Sequence, residues 1–194
     1  MANIVFPLPK FEIKSVGRWD KARNLPKIIR DCMSGGYEEA ATYFASRYLR
    51  NLINFIGSGR SPKGVYYRHL TVLYMNFGYG PKSHIKPKPF YFRTGLLKRS
   101  FGIKRNKKGN IVVGLTRPYS RSSAGGATLA TILRVLEEGG EWEAWGRIQI
   151  DMPPRPLIRP LFDEMGGTET LRRVIVREIA KRFRIIGIKA KLSW

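Results

Sequence analysis

The chain has 194 residues, 43% of them apolar and 12% aromatic, enough for one domain with a proper core and too much for wholesale disorder. Its one cysteine, Cys32, excludes an intrachain disulfide framework and a cysteine-based zinc site, and no apolar run approaches the ~18 residues of a membrane-spanning helix. The formal charge is +22, and it is lopsided: Ala40 to Leu136 holds 18 Lys and Arg and no acid, so that span carries +18 and the remainder +4. Such an imbalance implies an anionic partner, either nucleic acid or an acidic protein surface, more than a plain solvated face.

Residues 1 to 19 read as an extended arm. Pro7 and Pro9 break any helix, and Phe11, Ile13 and Ser15 alternate with polar residues as in a short strand, lying on a neighbour or at an ordinary sheet edge. No basic-then-apolar leader precedes them, so a soluble protein that uses no signal peptide is expected. Asn24-Leu25-Pro26 is a helix start, with Asn24 as cap. The spacing predicts a first helical piece to about Met33, an interruption at Ser34-Gly35-Gly36, and a second helix from about Tyr37 to Ile56. Two glycines cost roughly 2 kcal/mol of helix propensity. Ala41, Phe44, Ala45, Tyr48, Leu49, Leu52, Phe55 and Ile56 form one broad apolar stripe. Cys32, set among Ile28, Ile29 and Met33, reads as a reduced core thiol.

Residues 60 to 92 read as an inserted loop or hairpin, where aromatics interleave with Arg60, Lys63, Arg68, Lys82, Lys86, Lys88 and Arg93. That pattern suits stacking on single-stranded nucleic acid and suits an aromatic-anchored protein interface equally. A hairpin is expected next, with strands 97–104 and 111–116 around a turn at 106–110. Residues 118–126 are a polar loop, 128–138 a short helix ended by Gly139-Gly140, 142–150 a strand, and 153–160 a stiff Pro-rich extended stretch. The last helix runs from Leu161 to about Phe183, with a break near Gly166-Gly167, and the chain ends on a strand. The sum is α+β: a small, mainly antiparallel sheet packed with a long helix from the N-terminal half and a C-terminal helix, plus an extended arm or hairpin, all in a single domain. The helix ending near Ile56 is expected to cross one sheet that contains 97–104, 111–116 and 142–150.

Sites for chemistry are few. His69 and His84 have no metal-ligand spacing, and Gly57-Ser58-Gly59-Arg60-Ser61-Pro62-Lys63-Gly64 lacks the gap and the Ser or Thr of a phosphate loop. Glu137, Glu138, Glu141, Glu143 and Asp151 concentrate carboxylates without the other residues of a metal-dependent nuclease. Glu137 and Glu138 at a helix C-terminus oppose the dipole, which suggests that Glu137, Glu138, Glu141 and Glu143 serve a neighbouring subunit. Neither catalysis nor a cofactor is expected.

Several weak motifs occur in a fixed order: Thr94, Gly95, Leu96 and Ser100; then a strand ending at Val113-Gly114 and Tyr119; then Glu137 and Gly139; then Pro154, Arg155, Pro156, Arg159 and Pro160. In this order they resemble the tail-completion, or head–tail joining, proteins of tailed bacteriophages, including the minor tail protein Z type. The likeness covers roughly residues 25 to 183, with 60–92 and 120–130 as longer stretches. It implies a structural virion protein without cofactor or catalytic residues, assembled in the host cytoplasm into a neck ring of six, with twelve as the alternative. Its expected partners are neighbouring neck proteins, the tail tube or tail terminator, and the genomic DNA that passes through the channel, with no membrane. A basic nucleic-acid-binding protein, resting on charge and aromatics, is the competing expectation. Arg155 is further expected to anchor the Pro-rich segment on the domain's own helix–strand junction, with Glu138 as its acceptor.

Overall fold

The computed structural model describes residues 4–6, 12–13, 24–58, 61–65, 95–107, 109–120, 127–144, 148–187 and 192–193. Helix α1 spans Leu25–Ser58, and the Asn24 carbonyl accepts its first helical bond from Ile28 N at 3.0 Å. Ala40, Ala41, Phe44, Ala45, Tyr48, Leu52 and Ile56 are buried along one side, as their spacing predicts.

The helix does not break at Ser34-Gly35-Gly36, which corrects the two-piece expectation. The glycines are where α5 (Gly167–Ile185) crosses α1. A Cβ on Gly36 would stand 2.8 Å from Ile179 Cα and 2.9 Å from Ile179 N, so only glycine allows this approach. Packing of Ile179 and Phe183 into the shared core offsets the propensity lost.

A three-stranded antiparallel sheet covers another side of α1. Its order is β1 (Ile4–Phe6), β4 (Ile111–Leu115), β3 (Phe101–Arg105). Central β4 is buried along its whole length and pairs Phe101↔Leu115 through Arg105↔Ile111 on one side and Ile4↔Val113 on the other. The β3–β4 turn falls at 106–110, where Gly109 has φ 79° and Asn106 Oδ1 accepts from Asn110 N at 2.9 Å. Within the expected arm, Ile4–Phe6 is thus an edge strand of the main sheet, and β2 (Glu12–Ile13) pairs with β7 (Leu192–Ser193).

Three expected boundaries move. Residues 96–100 form a short helix, α2 (Leu96–Ser100), instead of the start of a strand. Leu, Lys and Arg are good helix formers, and Gly95 at φ 73° turns the chain into it. The stretch 142–150 is not a strand of the main sheet. It belongs to a separate two-stranded ribbon, β5 (Gly140–Ala144) and β6 (Ile148–Met152), which pair antiparallel from Gly140↔Met152 to Ala144↔Ile148. The Pro-rich stretch is irregular only to Leu157; α4 (Ile158–Glu164) takes in Arg159 and Pro160. Pro160 sits in the first turn, where an N–H has no helical acceptor. The break before α5 occurs at Gly166, φ 89°, as expected. Helix α3 (Leu129–Glu138) starts on Thr128, whose hydroxyl accepts from Thr131 N at 3.2 Å. The fold is α+β, with the long helix, the C-terminal helix and a small antiparallel sheet.

Candidate functional site: a junction of the motif residues

Helix α3 ends at Gly139, whose φ of 78° releases the chain and whose N–H donates to Val135 O at 2.9 Å. That ending leaves the last carbonyls and side chains of α3 facing the segment after β6. The Leu136 carbonyl accepts from Arg155 N at 2.7 Å. The half-buried Glu137 carboxylate accepts from Leu157 N at 3.0 Å and from Ile158 N at 3.2 Å. These N–H groups belong to the first turn of α4 and have no acceptor within it. Glu137 therefore caps α4 from another element, and its charge lies at the favourable end of that helix.

The other side of the junction is α1. Tyr48, fully buried, donates its hydroxyl to the Ile158 carbonyl at 2.7 Å. Its ring meets Phe162 edge-on, with centroids 6.3 Å apart, and Phe44 meets the same ring at 5.9 Å. Burial, and then the nearby Glu137 charge, push the Tyr48 hydroxyl far above the ordinary phenol range. Arg155 is 4% exposed, a buried arginine.

The junction brings together Glu137, Gly139 and Arg155, all named from sequence, with Leu157 and Ile158 at the start of α4, and adds Tyr48, which the sequence offered only as one more position in an apolar stripe. Glu138 is exposed and makes no hydrogen bond or ion pair among the described residues, so it is not the acceptor expected for Arg155; Arg155 N donates to the Leu136 carbonyl, and the carboxylate that holds the segment is Glu137, through Leu157 and Ile158 N. Arg159 does not share a side with Arg155: it is exposed, 3.0 Å from Asp163, and lies over the Phe162 ring at 5.6 Å. Pro154 is exposed, whereas Pro156 and Pro160 are half-buried.

The Thr-Gly motif lies apart from the junction. Gly95 caps α2, Leu96 is half-buried, and buried Ser100 donates to Leu96 O at 2.7 Å; Thr94 falls outside the described residues. The deeper anchor there is Leu97, which the motif reading passed over. Tyr119 is 74% exposed. Glu141 is exposed on the ribbon, and Glu143 lies opposite Gln149 in its register.

What the junction does chemically is hold three helices, α1, α3 and α4, and the Pro-rich segment before α4 together. The Glu137 oxygens are engaged by backbone N–H groups and the Tyr48 hydroxyl by a carbonyl. Among the described residues no three of His, Cys, Asp and Glu converge as metal ligands, and no helix is long and apolar enough to cross a membrane. Cys32, 8% exposed, lines a shallow groove with Glu39, Lys181, Arg182, Ile185 and Ile186, and burial raises its thiol pKa. Residues 66–92, with most of the interleaved aromatics and cations, lie outside the described residues. Within the acid-free span, Arg47, Arg50, Lys63, Arg99, Lys104, Lys107, Arg117 and Arg134 are exposed. No protein-family model, curated protein or solved structure matches the chain.

Proposed function

We propose that the chain is a structural virion protein of a tailed phage, a ring at the neck that completes the tail, joins it to the head and surrounds the DNA channel. The observation that carries this reading is the junction. The motif pieces at 137–139 and 154–160, separated by the β5–β6 ribbon, interlock through the Glu137 cap and the Arg155–Leu136 bond. Residues that would look incidental one by one thus meet in one place, which supports reading their order, the order that resembles the tail-completion proteins, as one motif. The neighbours in this reading are other neck proteins and the tail tube or terminator, and the +18 span faces DNA or an acidic partner ring.

The same charge supports the second reading, a basic nucleic-acid-binding protein, for a polyanion is its simplest complement. Electron microscopy of phage particles that carry the chain separates the two. Antibody against it should decorate the head–tail junction, and particles lacking it should accumulate as unjoined heads and tails. Label absent from the particle, with normal joining without the chain, contradicts the neck reading.

A further inference from the structure

The ribbon β5–β6 stands outside the main sheet: among the described residues its strands pair only with each other. Two strands alone are at best marginally stable in water. Its register sets Glu141 directly opposite Asp151, and both are exposed. Neither makes an ion pair among the described residues. Like charges directly opposite each other destabilise a ribbon unless cations come between them.

A cationic counterpart exists on the same chain. The outer face of α1 carries Tyr43, 55% exposed, followed by Arg47 and Arg50, both exposed and without an ion pair among the described residues. Arg47 and Arg50 are three positions apart on a helix, so their Cβ atoms lie about 5–6 Å apart. Directly opposed strand residues are separated by about 4.5–5.5 Å. Two carboxylates thus match two guanidinium groups in spacing as well as sign. Tyr and Arg are also the residue types that most often anchor protein interfaces.

We propose that the β5–β6 ribbon is an arm by which one copy docks on the outer face of α1 in the next copy, Glu141 and Asp151 meeting Arg47 and Arg50 beside Tyr43. Ribbon and helix face are different surfaces, so the contact is heterologous and repeats until it closes into a ring or extends as a filament. This inference rests on the ring reading and names the surfaces that make the ring.

The test is paired charge reversal, read by native mass spectrometry and light scattering at low and high salt. The double variants E141K/D151K and R47E/R50E should each remain folded by circular dichroism, because all four side chains are exposed. Each alone should assemble about tenfold or more weakly than wild type near 0.1 M salt, and the difference should shrink toward 1 M as screening tightens. Mixed in equal amounts, the two variants should regain assembly, since every alternating contact again opposes acid and base. Two variants that assemble like wild type, or a mixture that fails to regain assembly, overturn the arm while leaving the ring reading intact. Loss of DNA retention in R47E/R50E with unchanged assembly also overturns it, and assigns that face to nucleic acid. A wild-type chain that stays monomeric throughout overturns both.

Discussion

The Glu137 side chain decides the junction. It satisfies two backbone donors of a different helix, so Glu137→Ala leaves them without their charged acceptor. Hydrogen bonds to charged groups contribute about 1.5–3 kcal/mol, and a loss in that range is expected in denaturant titration. Glu138→Ala, one residue away but exposed, should change stability by no more than about 0.5 kcal/mol. Equal effects at the two positions would contradict the cap. Arg155→Ala should be costlier than Arg159→Ala in the same titration. Arg155 is buried, whereas the exposed Arg159–Asp163 pair contributes about 0–1 kcal/mol after screening. Tyr48 gives a pH signature. Its folded pKa is raised, so its contribution is complete below the unfolded phenol value of about 10 and is lost as pH rises beyond it. Stability should fall above about pH 10, and less steeply in Tyr48→Phe, which cannot ionise.

At the scale of elements, the glycine pair in α1 separates propensity from packing. Gly36→Ala gains about 1 kcal/mol of helix propensity but drives a methyl group into the Ile179 backbone, so a net loss of about 1–3 kcal/mol is expected. At Gly35 the new methyl group would meet only the Arg182 guanidinium, a flexible end whose pair with Glu39 is exposed. Gly35→Ala should be close to neutral. Thermal melts of the two variants check the contrast, and a stabilised Gly36→Ala would mean that α5 does not pack as closely as described. This pair also shows where the sequence was legible. The apolar period of α1, the Gly166 break and the 106–110 turn follow from local chemistry and sit where that chemistry puts them. The continuity of α1 does not, because it depends on a helix more than a hundred residues later. Likewise β5–β6 read as one strand, since only pairing reveals a ribbon that folds on itself. The junction was half legible: Arg155 announced itself among prolines, but choosing Glu137 over Glu138 needed the direction of the α3 C-terminus.

At the scale of the whole molecule, the charge has to be reconciled with the fold. The described acids are largely committed: Glu38 pairs with Arg105, Glu39 with Arg182, Glu169 with Arg173, Glu178 with Arg177 and Lys181, and Glu137 with backbone. Apart from Arg105, the exposed arginines and lysines of the acid-free span make no ion pair among the described residues, which suits an outside anion. Closed assembly and nucleic-acid binding supply that anion in different ways, and they differ in salt dependence. Binding to DNA by several phosphate contacts weakens steeply and log-linearly with salt. An assembly with a packed apolar centre weakens less, because only its charged rim is screened. The direct measurement is the native mass of the purified 22.2 kDa chain across salt concentrations, with and without duplex DNA. The neck reading predicts a closed oligomer, six copies from the family resemblance, that forms without nucleic acid. A monomer or dimer at every salt concentration, shifting in mass only when DNA is added, would contradict it.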